Sequence, residues 1–171
     1  MYNMGAVKDS MVLIHLAKIT LLEKSCNLFK VMIPSLVYEE TIIDGKRLFK
    51  EDALLIEKFV NNGSIEVKKV SERSLIKLAN EFNIFDGEAE AFALYKQEKA
   101  DYLISDDYNL RKKKNIIGAN IIGSLAVILK LKKDGKIDKI KFTKSMEKMR
   151  DIGWFSNVLI DKVLLEGHKN E

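Results

Sequence analysis

The stretch Met4-Gly-Ala-Val-Lys-Asp-Ser-Met-Val-Leu-Ile-His-Leu16 places one acid, Asp9, between two apolar segments. Met4 to Lys8 has the length and character of a first β-strand. From Ser10 to about Lys24, apolar residues recur at the spacing expected of a helix. The stretch therefore predicts a strand that leads directly into a helix, with an acid at the junction.

The same alternation of strand and helix continues along the chain. Further strands are predicted at Phe29 to Ile33, Ile65 to Val70, Tyr102 to Ser105 and Asn120 to Ile122. Helices are predicted from Pro34-Ser35 onward, from Lys50 to Asn62, from a cap at Ser71 to about Glu81, from Glu88 to Lys99 behind a cap at Asp86, and from Ser124 to Lys133. The order predicts an α/β fold with three layers, α/β/α, around a central, mostly parallel sheet.

Length and composition indicate one globular domain with a helical tail. The 171 residues suit a single core, and 47% hydrophobic with 32% charged residues is typical of a folded protein. We assign residues 1–136 to the α/β domain. Residues 137–171 are predicted to be a C-terminal extension of two helices, broken near Gly153-Trp154, that packs on the same domain.

The sequence argues against several other classes of protein. No apolar run is long enough to span a bilayer, and the N-terminus lacks the pattern of a signal peptide, so we expect a cytoplasmic protein without a membrane partner. Cys26 is the only cysteine, which excludes an internal disulfide. Two histidines cannot supply a three-histidine zinc site, and His15, within an apolar helical stretch, is interpreted as structural.

Acids stand at the ends of the predicted strands or at the starts of the helices that follow them. Besides Asp9, these are Glu40, Glu88 and the pair Asp106-Asp107. The carboxyl ends of parallel strands share one edge, where such sheets bind ligands. Crowded carboxylates repel one another unless a cation lies between them, and Mg²⁺ or Mn²⁺ prefers oxygen ligands. The four positions together therefore predict a metal site, although each acid taken alone is better explained as a helix cap or a surface residue.

Nucleotide-binding and phosphoryl-transfer motifs do not fit the sequence. Asp9-Ser-Met replaces the glycine-rich turn of a dinucleotide-binding fold, and Met11 stands where an aspartyl phosphatase needs its second acid. Gly118 and Gly123 have the spacing of a phosphate loop, but Ser124 occupies the place of its lysine, and Ile121-Ile122 indicate a strand there. What remains is an acid cluster without an evident protein nucleophile.

Five segments in sequence order carry a resemblance to a known family. They are Asp9-Ser10 followed by Val-Leu-Ile-x-Leu, Ile33-Pro-Ser-Leu-Val-Tyr-Glu-Glu40, Gly87-Glu-Ala-Glu-Ala91, Leu103-Ile-Ser-Asp-Asp107 with Arg111, and Ile122-Gly-Ser-Leu-Ala-Val-Ile-Leu129. From about Val7 to Gly135 the chain resembles PIN-domain proteins, which include many metal-dependent ribonucleases and the VapC-like toxins. It is most similar to a prokaryotic branch marked by a Gly-Glu-Ala-Glu-Ala segment.

The resemblance implies a set of functional residues. The catalytic and metal-binding acids would be Asp9, Glu40, Glu88 and Asp106, with Glu88 where many members carry aspartate. Glu40 is favoured over Glu39 by its distance from Val37, and Glu90 should point away from Glu88 around the helix axis. Ser10, Asp107 and Ser124 would bond to the ligands, to water or to phosphate, although each could also be an ordinary helix cap.

The implied activity is hydrolysis of RNA phosphodiester bonds by a Mg²⁺- or Mn²⁺-dependent endoribonuclease. The basic run Arg111, Lys112, Lys113 and Lys114 would hold flanking phosphates, although such runs are often only solvated helix faces. The protein could be the toxin of a toxin–antitoxin pair, with an antitoxin protein as partner and a homodimer as its assembly. The alternatives are a housekeeping RNA-processing nuclease and a catalytically weak module that binds RNA or protein.

Overall fold

A sheet of five parallel strands forms the centre of the computed structural model, which describes residues 4–169. The strands are β1 (Met4–Lys8), β2 (Phe29–Pro34), β3 (Ile65–Lys68), β4 (Tyr102–Ile104) and β5 (Ile121–Ile122). Their order is β3-β2-β1-β4-β5. The chain runs outward from β1 through β2 to β3, and then crosses back to place β4 and β5 on the other side. The boundary between β1 and β4 is therefore the switch point at which such sheets bind ligands.

Helices connect the strands and cover both faces of the sheet. They are α1 (Ser10–Lys18), α2 (Leu22–Leu28), α3 (Ser35–Tyr38), α4 (Asp44–Arg47), α5 (Glu51–Asn61), α6 (Arg73–Glu81), α7 (Asp86–Gln97), α8 (Tyr108–Lys112), α9 (Ser124–Lys133), α10 (Lys139–Ile152) and α11 (Asn157–His168). A π-helical turn, Glu39–Ile43, joins α3 to α4. None of the helices within residues 4–169 has the length and apolar character needed to cross a membrane.

The alternation of side chains along the strands produces two hydrophobic cores. On β1, Ala6 belongs to one core with Leu13 and Leu16 of α1, whereas Val7 belongs to the other with Phe92 of α7. Neighbouring residues of a strand point to opposite faces, so a strand buried on both sides reads as a continuous apolar run. The predicted three-layer α/β/α fold with a parallel sheet is confirmed.

The two C-terminal helices share the larger core. Phe142, Met146 and Met149 of α10 and Ile160 of α11 are fully buried among residues of α1, α2 and α9. Gly167 has no side chain, and a Cβ at this position would collide with the ring of Phe142. The tail is therefore packed tightly on the sheet-containing part, while the division at residue 136 stays a prediction.

Several predicted elements differ from those observed by one or two residues at their ends, and the largest differences concern the first helix and the third strand. The helix expected to run from Ser10 to about Lys24 ends at Lys18, because Thr20 adopts a left-handed backbone conformation with φ of 59°, and α2 begins at Leu22. The strand expected to reach Val70 ends at Lys68. The third strand ends where its pairing with β2 ends, at the pair of Pro34 and Lys68.

Two predicted caps are also wrong. Ser71 does not cap α6, since its hydroxyl donates to the side-chain oxygen of Gln97 and Glu72 precedes the helix. Asp86 is the first residue of α7 rather than its cap, a position taken by Phe85. Asp86 has φ of 52°, a conformation that Asp tolerates better than most residues and that is often found at functional sites.

Replacing Phe142 with alanine should destabilise the whole protein by about 3–5 kcal/mol, because the ring fills a buried site between α10 and α11. Urea unfolding should show a single transition shifted to lower denaturant. Ile140→Ala, at a position on the same helix that is 66% exposed, should change stability by less than about 0.5 kcal/mol. An early separate transition, with the main transition unmoved, would show that the tail folds independently.

Candidate active site

A cavity of about 1210 Å³ opens at the carboxyl edge of the sheet, beside the switch point between β1 and β4. Its lining includes the four acids expected from the sequence, Asp9, Glu40, Glu88 and Asp106. The chain distances between them are large, so the sheet rather than local structure brings them together. Their catalytic and metal-binding roles stay predictions at this point.

Asp9 is held at the centre of the site by the sheet and by the first helix. Its backbone N–H donates to the carbonyl oxygen of Ile104 at 3.1 Å, which extends the pairing of β1 with β4 by one residue. Its carboxylate accepts a 2.9 Å hydrogen bond from the N–H of Val12 and caps α1. Asp9, and not Ser10, is therefore the N-cap of this helix.

Asp106 follows β4 and uses both carboxylate oxygens within the protein. Oδ1 accepts from the backbone N–H of Ser124 at 2.7 Å, and Oδ2 lies 2.7 Å from Nδ1 of His15. A Cβ at Gly123 would stand 2.9 Å from Oδ1, so only glycine leaves room for this carboxylate at the start of α9. Asp106 is therefore fixed in one orientation by α1 and α9.

Glu40 reaches the site from the π-helical turn, in which the N–H of Asp44 bonds to the carbonyl of Glu39, five residues earlier. The hydroxyl of Ser10 donates to Oε2 of Glu40. The carboxylate lies against Gly87 in the first turn of α7, where a Cβ would be only 2.6 Å from Oε2. Negative charge is favourable at a helix N-terminus, so Gly87 both admits the carboxylate and places it where the helix stabilises it.

Glu88 and Glu90 lie on the same helix but face different surroundings. Glu88 lines the cavity, and its carboxylate accepts no hydrogen bond from residues 4–169. Glu90 is absent from the cavity wall, and its Oε2 instead accepts from the backbone N–H of Leu36 at 3.0 Å at the start of α3. Glu39 is exposed on the surface. Within each pair, only one glutamate lines the cavity: Glu88 rather than Glu90, and Glu40 rather than Glu39.

Burial and mutual repulsion raise the proton affinity of two of the acids. Burial raises the pKa of Asp9 to about 7, and the negative charges of Asp106 and Glu88 add to this rise. Burial likewise raises the pKa of Glu88 to about 7, with Asp107, Glu40 and Asp86 contributing. A site crowded with carboxylates binds protons unless another positive charge takes their place.

Asp107 and Ser124 both stand at the N-terminus of a helix. Asp107 lines the cavity and caps α8, with Oδ1 accepting from the N–H of Leu110 at 2.6 Å. Ser124 is the first residue of α9 rather than its cap. Its Oγ is one of the buried side-chain atoms that have no hydrogen-bond partner within residues 4–169.

Three members of the basic run face the acids. Arg111, Lys112 and Lys114 line the cavity. Lys113 does not, because its ammonium group donates to the carbonyl oxygen of Phe82 outside the cavity wall. The acids and three of the basic residues therefore line one cavity, while the role of the run in binding RNA stays a prediction.

The cavity also contains residues that sequence reasoning missed. His15, interpreted as structural, contacts Asp106, and Trp154 and Phe155 reach the cavity from the loop between α10 and α11. His15 and Met11 are four residues apart on α1 and therefore lie on one face of the helix that follows Asp9. That spacing does not identify Asp106 as the partner of His15. No local pattern links Trp154 to the acids.

The comparisons with known proteins agree with this geometry. A family model described as a PIN domain matches residues 5–167, a span that includes the sheet, the acids and both C-terminal helices. The chain belongs to the PIN-domain family. No curated protein and no solved structure matches it. PIN domains are generally nucleases, and they typically depend on divalent metal ions.

The carboxylate oxygens in the cavity of this PIN domain are chemically suited to bind a divalent cation. Carboxylate oxygens are the preferred ligands of Mg²⁺ and Mn²⁺, and a cation would offset the repulsion that, together with burial, raises the pKa values of Asp9 and Glu88. Within residues 4–169, however, no three Asp, Glu, His or Cys side chains converge closely enough to enclose an ion. Asp9, Asp106 and Glu40 instead face donors of the protein. A cation would have to compete with those donors.

The Asp9→Asn variant should remove part of the pH dependence of stability in metal-free protein. The pKa of Asp9 rises from about 3.8 to about 7 on folding, so the native state holds the extra proton between these values and wild-type stability falls as pH rises. Asparagine does not titrate and is an equally good cap. Urea unfolding with chelator at pH 5 and pH 8 should show a smaller loss for the variant; equal losses would contradict the buried charge at Asp9.

Gly87→Ala should destabilise the protein, although alanine in a helix is normally favoured over glycine by about 0.5–1 kcal/mol. The reason is the collision with Glu40. In a Glu40→Ala background the same change should become neutral or stabilising, which gives a coupling free energy of at least about 1 kcal/mol in a double-mutant cycle. Additive effects of the two changes in thermal unfolding would show that Gly87 and Glu40 do not interact.

Proposed function

We propose that this PIN domain is an endoribonuclease that depends on Mg²⁺ or Mn²⁺ and hydrolyses RNA phosphodiester bonds. The observation that carries the proposal is the meeting of Asp9, Glu40, Glu88 and Asp106 in one cavity whose wall also contains Arg111, Lys112 and Lys114. The family adds support, because PIN domains are generally nucleases. The toxin role and the antitoxin partner stay predictions of the VapC-like resemblance.

The acidic and basic residues would divide the work. Arg111, Lys112 and Lys114 hold the phosphates of the backbone, which positions the strand without reading its sequence. The carboxylates alone would repel the same phosphates, so they serve only when positive charge is added at their centre. A cavity with both signs of charge therefore fits a polyanion that is bound along the rim and cleaved at the acids.

Asp9 and Asp106, with Glu40 and Glu88, would hold the divalent ion. When bound, this ion supplies positive charge to the phosphate and lowers the pKa of water, so that hydroxide is available near neutral pH. Ser10 and His15 act through the acids, because each keeps one carboxylate oriented within the cavity. His15 is thus assigned as a positioning residue for Asp106.

Glu88 is the best-placed general base among the four acids. Its carboxylate lines the cavity and accepts no hydrogen bond from residues 4–169, so it could take a proton from water while it holds the ion through water rather than directly. In this step the water oxygen would attack phosphorus, the water proton would move to the Glu88 carboxylate, and the P–O bond to the leaving ribose oxygen would break as that oxygen takes a proton from solvent. Hydrolysis by water yields a phosphomonoester and a free hydroxyl, without a cyclic phosphate.

A nuclease assay with matched acid variants tests the proposal. Metal-free protein should cleave a labelled RNA only after Mn²⁺ or Mg²⁺ is added. Glu40→Gln and Asp106→Asn should lower the cleavage rate by about 100-fold or more, because they remove negative charge that faces the ion. Glu39→Gln, next to Glu40 but exposed, should cleave like the wild type.

The matched pair also distinguishes the proposed enzyme from a module that only binds. If Glu40→Gln and Asp106→Asn cleave as fast as Glu39→Gln, the activity does not come from this cavity and the proposal fails. RNA binding in chelator with no cleavage by wild type under any metal would favour the binding module.

A further inference from the structure

The only tryptophan of the chain stands almost uncovered at the edge of the acidic cavity. Trp154 is 98% exposed and lines the cavity from the loop between α10 and α11. Tryptophan carries a large apolar surface, and leaving it in water forgoes the free energy of its burial. Such a residue beside a binding cavity is typical of a contact that is completed by a partner.

The loop that carries Trp154 is rigidly held. Arg150, near the end of α10, donates to Asn157 at 2.8 Å and to Asp161 at 2.8 Å, which ties α10 to α11. Ser156 caps α11 through the N–H of Leu159. The loop that carries Trp154 is therefore tied at both ends to helices that are joined by hydrogen bonds, which fixes its place at the cavity edge.

Phe155 fixes the direction of the loop relative to the acids. Its ring packs over Gly153, where a Cβ would collide with it, and its centroid lies 6.0 Å from that of His15. His15 in turn contacts Asp106. A continuous set of contacts thus joins the acid to the loop, and the neighbour of Phe155, Trp154, is left facing outward.

Two more exposed aromatic rings, from segments that precede Trp154 in the sequence, line the same cavity. Tyr108, at the start of α8, is 77% exposed, and Phe85 precedes α7 and is half exposed. The basic residues Arg111, Lys112 and Lys114 share this wall. Exposed aromatic rings combined with cationic side chains are the features by which proteins bind single-stranded nucleic acid, with bases stacked on the rings and phosphates on the cations.

We propose that Trp154 is a stacking platform that anchors one unpaired base of the substrate at the edge of the acidic cavity. The inference rests on the proposed nuclease function and assigns a substrate-positioning residue that lies outside the acidic and basic sets. In a duplex both faces of a base are stacked on its neighbours, which leaves no face for Trp154. An unpaired base on Trp154 would anchor the strand while Arg111 and the lysines hold its phosphates.

Intrinsic fluorescence gives a direct test, because Trp154 is the only tryptophan. With metal removed by chelator, a single-stranded oligoribonucleotide should quench the emission in a saturable way. A duplex of the same sequence should not, and an abasic oligomer should bind by charge without quenching. Trp154→Ala should weaken binding of the single strand by about 5-fold or more, because one stacked base contributes about 1–3 kcal/mol. Trp154→Phe should recover most of the affinity.

Val158→Ala is the matched control, since Val158 is a 67% exposed apolar residue of α11 that is absent from the cavity lining. It should bind RNA like the wild type. Equal quenching by single strand and duplex, or unchanged affinity of Trp154→Ala, would overturn the stacking role. A dimer in sedimentation that Trp154→Ala dissociates would also overturn it, because a second copy would then be the partner.

The result is separable from the nuclease proposal. If single-stranded RNA quenches the fluorescence but the wild type does not cleave it, the stacking role of Trp154 is retained and the nuclease is rejected. If Glu40→Gln abolishes cleavage but Trp154→Ala binds RNA like the wild type, the nuclease is retained and the stacking role is rejected. On a hairpin RNA, wild-type cleavage should fall in the loop, and cleavage within the stem would contradict a single-stranded substrate.

Discussion

The hydrogen bond from the N–H of Asp9 to the carbonyl of Ile104 is the contact on which the site depends. It is the last pairing of β1 with β4, at the switch point of the sheet, and it places Asp9 beside the segment that carries Asp106. If β1 shifted by one residue relative to β4, the side chains of Lys8 and Asp9 would each point to the opposite face of the sheet. The two buried cores prevent this slip, since Ala6 and Val7 each fit only one of them.

The acids are kept together at a cost in stability. Four carboxylates around one cavity oppose folding, and burial together with their mutual repulsion raises the pKa of Asp9 to about 7. The fold offsets part of this cost with donors aimed at the acids, such as the N–H groups of Val12 and Ser124. Gly87 and Gly123 leave the space that these carboxylates need. These hydrogen bonds orient the carboxylates toward N–H groups of the protein, so a bound cation would have to replace some of the hydrogen bonds.

The sequence predicts the parts of the molecule that local patterns determine. The strand Met4–Lys8 and the helix Ser124–Lys133 were predicted to the residue, because a short apolar run and a helical period are local properties of the sequence. The gathering of the four acids followed from the parallel order of strands. His15 was missed because its partner lies 91 residues away, and no periodicity encodes that contact. The break at Thr20 was missed because apolar spacing alone does not reveal a left-handed residue.

The C-terminal helices connect the stability of the fold to its chemistry. Phe142 and Met146 bury their side chains in the core shared with α1 and α9, and the loop that follows α10 carries Phe155 to His15. His15 holds one oxygen of Asp106 while the start of α9 holds the other. The tail therefore acts on the site through packing as well as through exposed residues.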